Sequence, residues 1–398
     1  MEKQSEKRML TVGEFCESFP PLMDGVGNVI KNYTEHLRER GHAAYAVTAG
    51  TKEGLAYDIQ HGIKYTLRCN MYPLPGIKPY GLVVKNPRFK HDLAHIPFDL
   101  VHAHSPFFHG KMATNIAKKR NIPLVSTFHT QFKADILGVV KSERIASAIT
   151  SLILKHYEAA DQVWTPSEWS KKRLYEYGFR KEVIVVENGC DMELPSPSTL
   201  ASYHESGRRL ASATENTPIL IYVGQHKDEK NLQLTLDSLR MLAARKVDYK
   251  MIFVGTGADK DRYEAYVKQH NLQKSIVFLG RITDREQIKA LYSVSSLFLF
   301  PSKYDTSALV MREAAAFNLP LLYVQGSCTS ESISHGVNGF IAEDNPQAYS
   351  GMIEWVLTHK EAQQAAGNGC RTSLYRHWRD AVDEVEQRYR ELVDRHSR

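Results

Sequence analysis

Residues 219–231 read Ile219-Leu220-Ile221-Tyr222-Val223-Gly224-Gln225-His226-Lys227-Asp228-Glu229-Lys230-Asn231. The first five are apolar on both alternating faces, which predicts a strand buried on both sides. A glycine turn follows, then a helical pattern over Asn231–Ala244. Strand, turn and helix make one βα unit, and doubly buried strands belong to parallel sheets covered by helices. The pattern continues in both directions. Upstream it predicts strands at Met9–Phe15, Ala43–Val47, Leu100–Ala103, Leu124–Phe128, Gln162–Thr165 and Val183–Val186. Downstream it predicts Met251–Val254, Ile276–Leu279, Leu297–Phe300 and Leu321–Val324. Helical patterns lie between them, such as Val29–Arg40 closed by Gly41. The fold class is α/β.

The repetition breaks once, at residues 191–217, which are rich in Pro, Ser and Thr and read as a linker. The expected division is a first domain at 1–190, the linker 191–217, a second domain at 218–370 and a charged helix at 371–398. Ala381, Val382, Val385, Tyr389 and Leu392 form one apolar stripe on that helix. A cleft between two such domains is the default ligand site.

The chain has 398 residues, 42% hydrophobic and 24% charged, which excludes disordered, collagen-like and disulfide-stapled classes. The net charge of +6 is unevenly placed: +7 falls on residues 1–190 and −1 on residues 191–398. The basic runs are short, as in Lys118-Lys119-Arg120, and no recognition motif accompanies them, so nucleic acid is not the expected partner. Five widely spaced cysteines without a CxxC argue against a disulfide framework or zinc site. Nothing resembles a signal peptide or a spanning segment. The expected location is cytoplasmic, with any membrane contact peripheral, on the inner face.

Several local patterns carry chemistry. Pro20-Pro21-Leu22-Met23-Asp24-Gly25-Val26-Gly27-Asn28 is a Gly-rich turn entering a helix, where backbone N–H groups and the helix dipole suit a phosphate or sugar. A tight turn that merely needs glycine fits the same spacing. His104 and His129 end predicted strands, where open α/β sheets place ligands. His102 is expected to face the other side of the sheet. Gly255 and Gly257 follow another strand and would let a flat base or phosphate approach. Lys230 sets an ammonium near a helix start. In Phe300–Ala316, Asp305 precedes a helix that starts near Ala308, and Glu313 lies about one and a half turns inside it. Both carboxylates are expected to face one cleft, with the amides of Thr306, Ser307, Ala308 and Leu309 aimed at an anion. Asp259-Lys260-Asp261 is expected to cap a helix rather than hold a metal.

The segment Asp305–Glu313 resembles the E-x7-E signature of family 4 retaining glycosyltransferases, which have the GT-B fold. The Gly-rich loop, His-Ala-His-Ser-Pro at 102–106, Phe128-His129-Thr130, Asn188-Gly189-Cys190-Asp191, the turn to Lys230-Asn231, Phe278-Leu279-Gly280 and Pro301-Ser302 follow in that family's order. The resemblance implies two Rossmann-like parallel-sheet domains facing a central cleft, with the C-terminal helix crossing back to the first. It implies a nucleotide-diphosphate sugar as donor, a UDP-sugar favoured, and no metal or other cofactor. Glu313 would hold the ribose hydroxyls and Asp305 those of the transferring sugar. Lys230 and the amides of 306–309 would neutralise the leaving diphosphate. Gly25, Gly27, Asn188, Gln225, Gly255 and Gly257 complete the expected donor site, with Gly27 reaching it from the first domain. His104 and His129 are assigned to the acceptor, and His129 also to catalysis near the reacting carbon.

Three departures stand out. Gln225 replaces the family's usual Arg, Asp305 replaces its first Glu, and Ser307-Ala308 replaces Phe-Gly. His226 or Lys227 would have to supply the missing cation. The Gln and Asp resemble a diacylglycerol glucosyltransferase-like branch of the family. Three functions are therefore weighed. One is hexose transfer to a membrane lipid such as diacylglycerol, motivated by the basic first domain and by the mixed apolar and basic segments Lys133–Lys155 and Lys78–Lys90. Another is the same chemistry on a soluble saccharide or polysaccharide precursor. The third is a non-catalytic sugar-nucleotide-binding relative.

Overall fold

The computed structural model describes residues 8–22, 24–73, 81–84, 86–129, 132–305 and 307–397. The chain divides into two units: residues 1–188 with 378–398, and residues 189–377.

In unit 1, strands β1 (Thr11–Phe15), β2 (Ala43–Gly50), β3 (Thr66–Pro73), β4 (Gly81–Val84), β5 (Leu100–Ala103), β6 (Leu124–Thr127), β7 (Gln162–Thr165) and β8 (Val183–Val185) form one sheet. Their order is β4-β3-β2-β1-β5-β6-β7-β8. All neighbours are parallel except β3 and β4. The helices are α1 (Gly25–Glu39), α2 (Lys52–Gln60), α3 (Pro87–His95), α4 (Phe108–Arg120), α5 (Phe132–Val140), α6 (Glu143–Glu158) and α7 (Glu168–Glu176). Asp24 caps α1, and Gly41 ends it with φ of +92°, a conformation that glycine adopts without strain.

In unit 2, helix α8 (Pro197–Ala211) precedes β9 (Ile219–Val223), α9 (Leu232–Ala244), β10 (Lys250–Val254), α10 (Lys260–Gln269), β11 (Ile276–Gly280) and α11 (Arg285–Val294). Then come β12 (Leu297–Phe300), α12 (Leu309–Ala316), β13 (Leu321–Val324), β14 (Phe340–Ala342), α13 (Pro346–Thr358) and α14 (Lys360–Leu374). The sheet order is β11-β10-β9-β12-β13-β14, all parallel. Helix α15 (Trp378–His396) returns to unit 1. Its expected stripe is buried, with Ala381, Val382, Val385 and Tyr389 fully removed from solvent. Burial of this stripe is what makes so charged a helix fold back.

Each expected strand is present, with ends shifted by at most three residues. Strands β3, β4 and β14 were not foreseen. Strand β3 carries Arg68 and Asn70 among its apolar residues, and β14 has three residues, so neither reads as a doubly buried run. The expected linker 191–217 needs correction. Ser196 caps helix α8, and Gly207 presses so close to α11 that a Cβ there would lie 2.1 Å from the Ala290 carbonyl oxygen. The expected start of the last helix at 371 also moves, because residues 371–374 end α14. All five cysteines are free and buried.

Candidate active site

Both sheets change direction once. In unit 2 the chain runs outward from β9 to β10 and β11, then restarts at β12 on the other side. The carboxyl ends of β9 and β12 therefore flank the crevice where open α/β sheets bind ligands. Lys230 follows β9 in a short 3-10 turn, Asp228–Lys230, and Asp305 follows β12. Their side chains meet, with Lys230 Nζ donating to Asp305 Oδ1 at 2.5 Å, both partly buried. Asn231 turns the chain into α9 with φ of +56°, and its amide donates to the Pro301 carbonyl and to Asp344. The two strand ends are thus tied side to side.

Helix α12 begins at Leu309 with Ala308 in the N-cap position, and no side chain caps it. Ser307, Ala308 and Leu309 are half-buried there, whereas Thr306 lies outside the described residues. Glu313 is the fifth residue of α12 and is buried. Arg285 Nη2 donates to its Oε1 at 2.9 Å, and Tyr292 OH donates to its Oε2 at 3.0 Å. Arg285 also pairs with Asp191. Burial pushes the Glu313 carboxyl above the ordinary range while Arg285 pulls against it. The two carboxylates thus have separate cations, Lys230 for Asp305 and Arg285 for Glu313. Each Glu313 oxygen keeps lone-pair capacity for a hydroxyl donor.

The expected glycines do structural work. A Cβ on Gly255 would lie 1.9 Å from the Gly224 carbonyl oxygen, and one on Gly257 2.3 Å from that of His226. The turns after β9 and β10 are zipped together by Gly224 N–H to Val254 and His226 N–H to Thr256. Asp259 stands at the N-cap of α10 but does not cap it; its carboxylate accepts from the Asp228 N–H at 2.8 Å. Gln225 and Lys227 are exposed. His226 does not replace the missing Arg: it is buried beside Phe253 and Phe278, and both ring nitrogens lack partners among the described residues. Burial lowers its pKa, so it is uncharged at neutral pH.

In unit 1 the switch lies between β1 and β5. Glu14 sits directly across from His102 in the register. His102 and His104 lie on the same face of the sheet, with rings 3.9 Å apart, which corrects the expectation that they diverge. Residues i and i+2 of a strand point the same way. His104 Nε2 is 2.7 Å from Glu14 Oε2, and His104 Nδ1 is 3.0 Å from His129 Nε2. His102 Nδ1 is 2.6 Å from Tyr389 OH, and its Nε2 is 2.6 Å from Thr127 Oγ1. Tyr389 OH donates to Glu14 Oε1 at 2.9 Å. Glu14, His102, His104 and Tyr389 are buried, and His129 is half-buried. Among the described residues, Glu14, His102 and His104 are the one group close enough to consider for a metal. The facing atoms of these three residues are engaged in the hydrogen bonds above.

Gly27 is buried, and its N–H donates to the Asp24 side chain at 2.7 Å, so that amide is already engaged. Gly25 is exposed, with open space where a Cβ would stand. Asn188 is buried at the end of unit 1's first segment. Sequence reasoning missed Arg285, Tyr292, Glu14 and Tyr389. Of these, only Glu14 left a signal, as a carboxylate inside an otherwise apolar strand.

Two family models match the chain. The Glycosyltransferase Family 4 model covers residues 23–194, and the model for glycosyl transferases group 1 covers residues 208–372. A GDP-mannose-dependent alpha-mannosyltransferase of Corynebacterium glutamicum is 23% identical over 97% of this chain and 90% of its own. An alpha-monoglucosyldiacylglycerol synthase of Acholeplasma laidlawii is 22% identical over 86% and 87%. Among solved structures, HepE of Anabaena in complex with UDP has a TM-score of 0.75 at 16% identity, covering 96% of this chain and 100% of that one. A glycosyltransferase from Rickettsia africae has a TM-score of 0.74 at 17% identity, covering 97% and 99%. With two parallel-sheet Rossmann-like units and both family models in their order along the chain, this protein belongs to the family 4 glycosyltransferases and has the GT-B fold.

Proposed function

We propose that the protein transfers a hexose from a UDP-sugar, with retention, to a membrane lipid such as diacylglycerol. The outer face of α6 carries the lipid reading. The inner face of this helix buries Ala146, Thr150, Ile153, Leu154 and Tyr157. Ile145 and Leu152, which lie on one stripe of the helix, are nevertheless 51% and 66% exposed. Arg144, Lys155 and the preceding Lys141 are exposed beside them. A helix that has filled its core and still shows branched apolar residues among cations suits an anionic bilayer surface. No described helix is long and apolar enough to cross a membrane, so this contact would be peripheral. The second segment, Lys78–Lys90, does not support the reading. Its described part is β4 and the start of α3, Phe89 is in the core, and residues 78–80 and 85 lie outside the described residues.

In this reading Lys230 and the first turn of α12 neutralise the leaving diphosphate without a metal ion, the step that supplies most of the catalysis. Glu313 takes the ribose hydroxyls, Asp305 those of the sugar, and His129 lies near the reacting carbon. Relatives named as monoglucosyldiacylglycerol synthases in Acholeplasma laidlawii and Streptococcus pneumoniae support the lipid acceptor. The GDP-mannose-dependent relatives make the donor a matter for experiment.

Three measurements test the proposal. UDP at about 100 times its dissociation constant should stabilise the protein by about 2.7 kcal/mol. Stabilisation by GDP or ADP and not UDP would overturn the donor assignment. The protein should co-sediment with vesicles containing anionic lipid, and Ile145→Glu with Leu152→Glu should abolish this. Absence of binding by the unaltered protein would remove the lipid acceptor in favour of a soluble saccharide. Transfer that vanishes in Glu313→Ala would exclude a non-catalytic role.

A further inference from the structure

Two donors reach Glu313 from one face of α11. Arg285 and Tyr292 are seven residues apart, which is two turns, so their side chains leave the helix on the same side. Asp284 caps α11 through the Glu286 N–H and so fixes where Arg285 emerges. Arg285 Nη2 carries two hydrogens. It donates to Glu313 Oε1 at 2.9 Å and also to Asp191 Oδ1. Tyr292 OH supplies Glu313 Oε2. One guanidinium nitrogen is thus shared between an enclosed carboxylate and an open one, since the Glu313 and Asp191 side chains are 9% and 53% exposed. An enclosed ion pair is weak evidence for stability, because apolar packing often does as well. Its consequence here is chemical. A carboxylate kept ionised accepts at both oxygens and donates at neither.

We propose that Arg285 keeps Glu313 an all-acceptor carboxylate and thereby sets how strongly the site prefers a ribonucleoside diphosphate over its 2′-deoxy analogue. Arg285 is a positioning residue that acts on the ligand through Glu313. That Glu313 meets the ribose rests on the functional reading above, whereas the hold of Arg285 on the Glu313 charge rests on geometry alone. Ribose hydroxyls donate most strongly to an ionised oxygen. With a proton on Glu313, one oxygen becomes a donor and the other a weaker, neutral acceptor. The guanidinium does not give up its own proton, so protonation breaks this ion pair only from the Glu313 side. Asp191 works against the arrangement: its negative charge and its claim on the same Nη2 both favour a proton on Glu313.

The groups facing Glu313 are Arg285 and Tyr292 from α11, and Cys190 and Asp191 from the segment before α8. Arg312 is the charged neighbour on its own helix and donates to the Leu374 carbonyl. Burial pushes the Glu313 carboxyl up and Asp191 adds to this, while Arg285 and Tyr292 pull it down. Burial also raises the Cys190 thiol to about 12 and the Tyr292 hydroxyl well above its ordinary value, so neither titrates together with Glu313. Glu313 is ionised above its midpoint, so the preference for ribose is present there and is lost as pH falls through it. Losing Arg285 moves that midpoint up, and losing Asp191 moves it down.

The test uses full-length protein carrying 13C at the glutamate carboxyls, with Glu313 assigned through Glu313→Gln. Without ligand, the Glu313 midpoint should rise in Arg285→Met, fall in Asp191→Asn, and return toward the unaltered value in Arg285→Lys. UDP, GDP and ADP are then each compared with their 2′-deoxy analogues by calorimetry. The phosphates titrate alike in both members of a pair, so the ratio of dissociation constants reads the ribose contact alone. Above its midpoint the unaltered protein should prefer the ribonucleotide roughly 10- to 100-fold. In Arg285→Met this preference should drop below about tenfold at pH values where the unaltered protein keeps it, and Arg285→Lys should restore most of it. A Glu313 midpoint that Arg285→Met leaves unmoved overturns the proposal. So does a weakening of both members of a pair alike with the ratio unchanged, which is what structural damage gives. Should Arg285→Met fail to fold, an unmoved or raised midpoint in Asp191→Asn overturns it alone. Failure of all three nucleotides to bind the unaltered protein overturns the donor reading and the ribose role together, whereas binding with an unchanged ratio sinks only the assignment of Arg285.

Discussion

Lys230 and Asp305 form an ion pair in which neither group is fully buried. Such a pair contributes about 0.2–1 kcal/mol to stability. A cation placed where charge develops in a transition state is worth far more, roughly 100- to 1,000-fold in rate. Lys230→Ala should therefore lower kcat by that factor while shifting the unfolding free energy by less than about 1 kcal/mol. Parallel losses in both would mark Lys230 as structural. Glu313 is different: removing it leaves Arg285 and Tyr292 without their acceptor. Glu313→Ala should cost roughly 1–3 kcal/mol in stability as well as activity, read by denaturant titration. Lys230, Asp305 and Glu313 were legible because each belongs to one local strand-turn-helix pattern. Arg285 and Tyr292 were not, since they reach Glu313 from another helix, and nothing in their spacing anticipates a partner 21 or 28 residues away.

At the level of elements, α8 is the instructive case. Its Pro, Ser and Thr content reads as a linker, yet Ser196 and Pro197 are also how a helix begins. Composition alone does not separate the two. The helix is retained because Gly207 lets it approach α11 closely. Replacing glycine by alanine in a helix normally stabilises it by up to about 1 kcal/mol. Here the added methyl meets backbone, so Gly207→Ala should instead destabilise unit 2 by roughly 1–3 kcal/mol. A raised denaturation midpoint would contradict that packing. Gly255 and Gly257 teach the same lesson: the residue type suggested a ligand, and the nearest occupant of the space is the neighbouring turn.

Across the whole molecule, buried titratable groups predict a stability maximum near pH 6.5. Burial holds His104 at about 3 and His156 at about 4, against 6.5 for the ordinary imidazole. Below 6.5 the unfolded chain binds protons that the folded one refuses, so stability falls with acid. Glu14 and His109 work the other way. Glu14 keeps its proton to about 8, and His109, pulled down by burial but carried up by Cys69 and Glu17, keeps its own to about 9. Above 6.5 the unfolded chain has already released both, so stability declines again until these values are passed. Thermal midpoints across this range check the prediction; a monotonic rise to alkaline pH would refute it.

The α/β class, the parallel sheets and the order of motifs follow from short-range pattern, because a strand buried on both faces is mostly apolar wherever it lies. The family resemblance needed nothing more. What tertiary structure alone decided was which partner each polar group found. The return of α15 brings Tyr389 to Glu14 across 375 residues, and α11 brings Arg285 to Glu313. Such pairings depend on strand order and helix crossing, which join residues far apart in the chain, and no local periodicity encodes them.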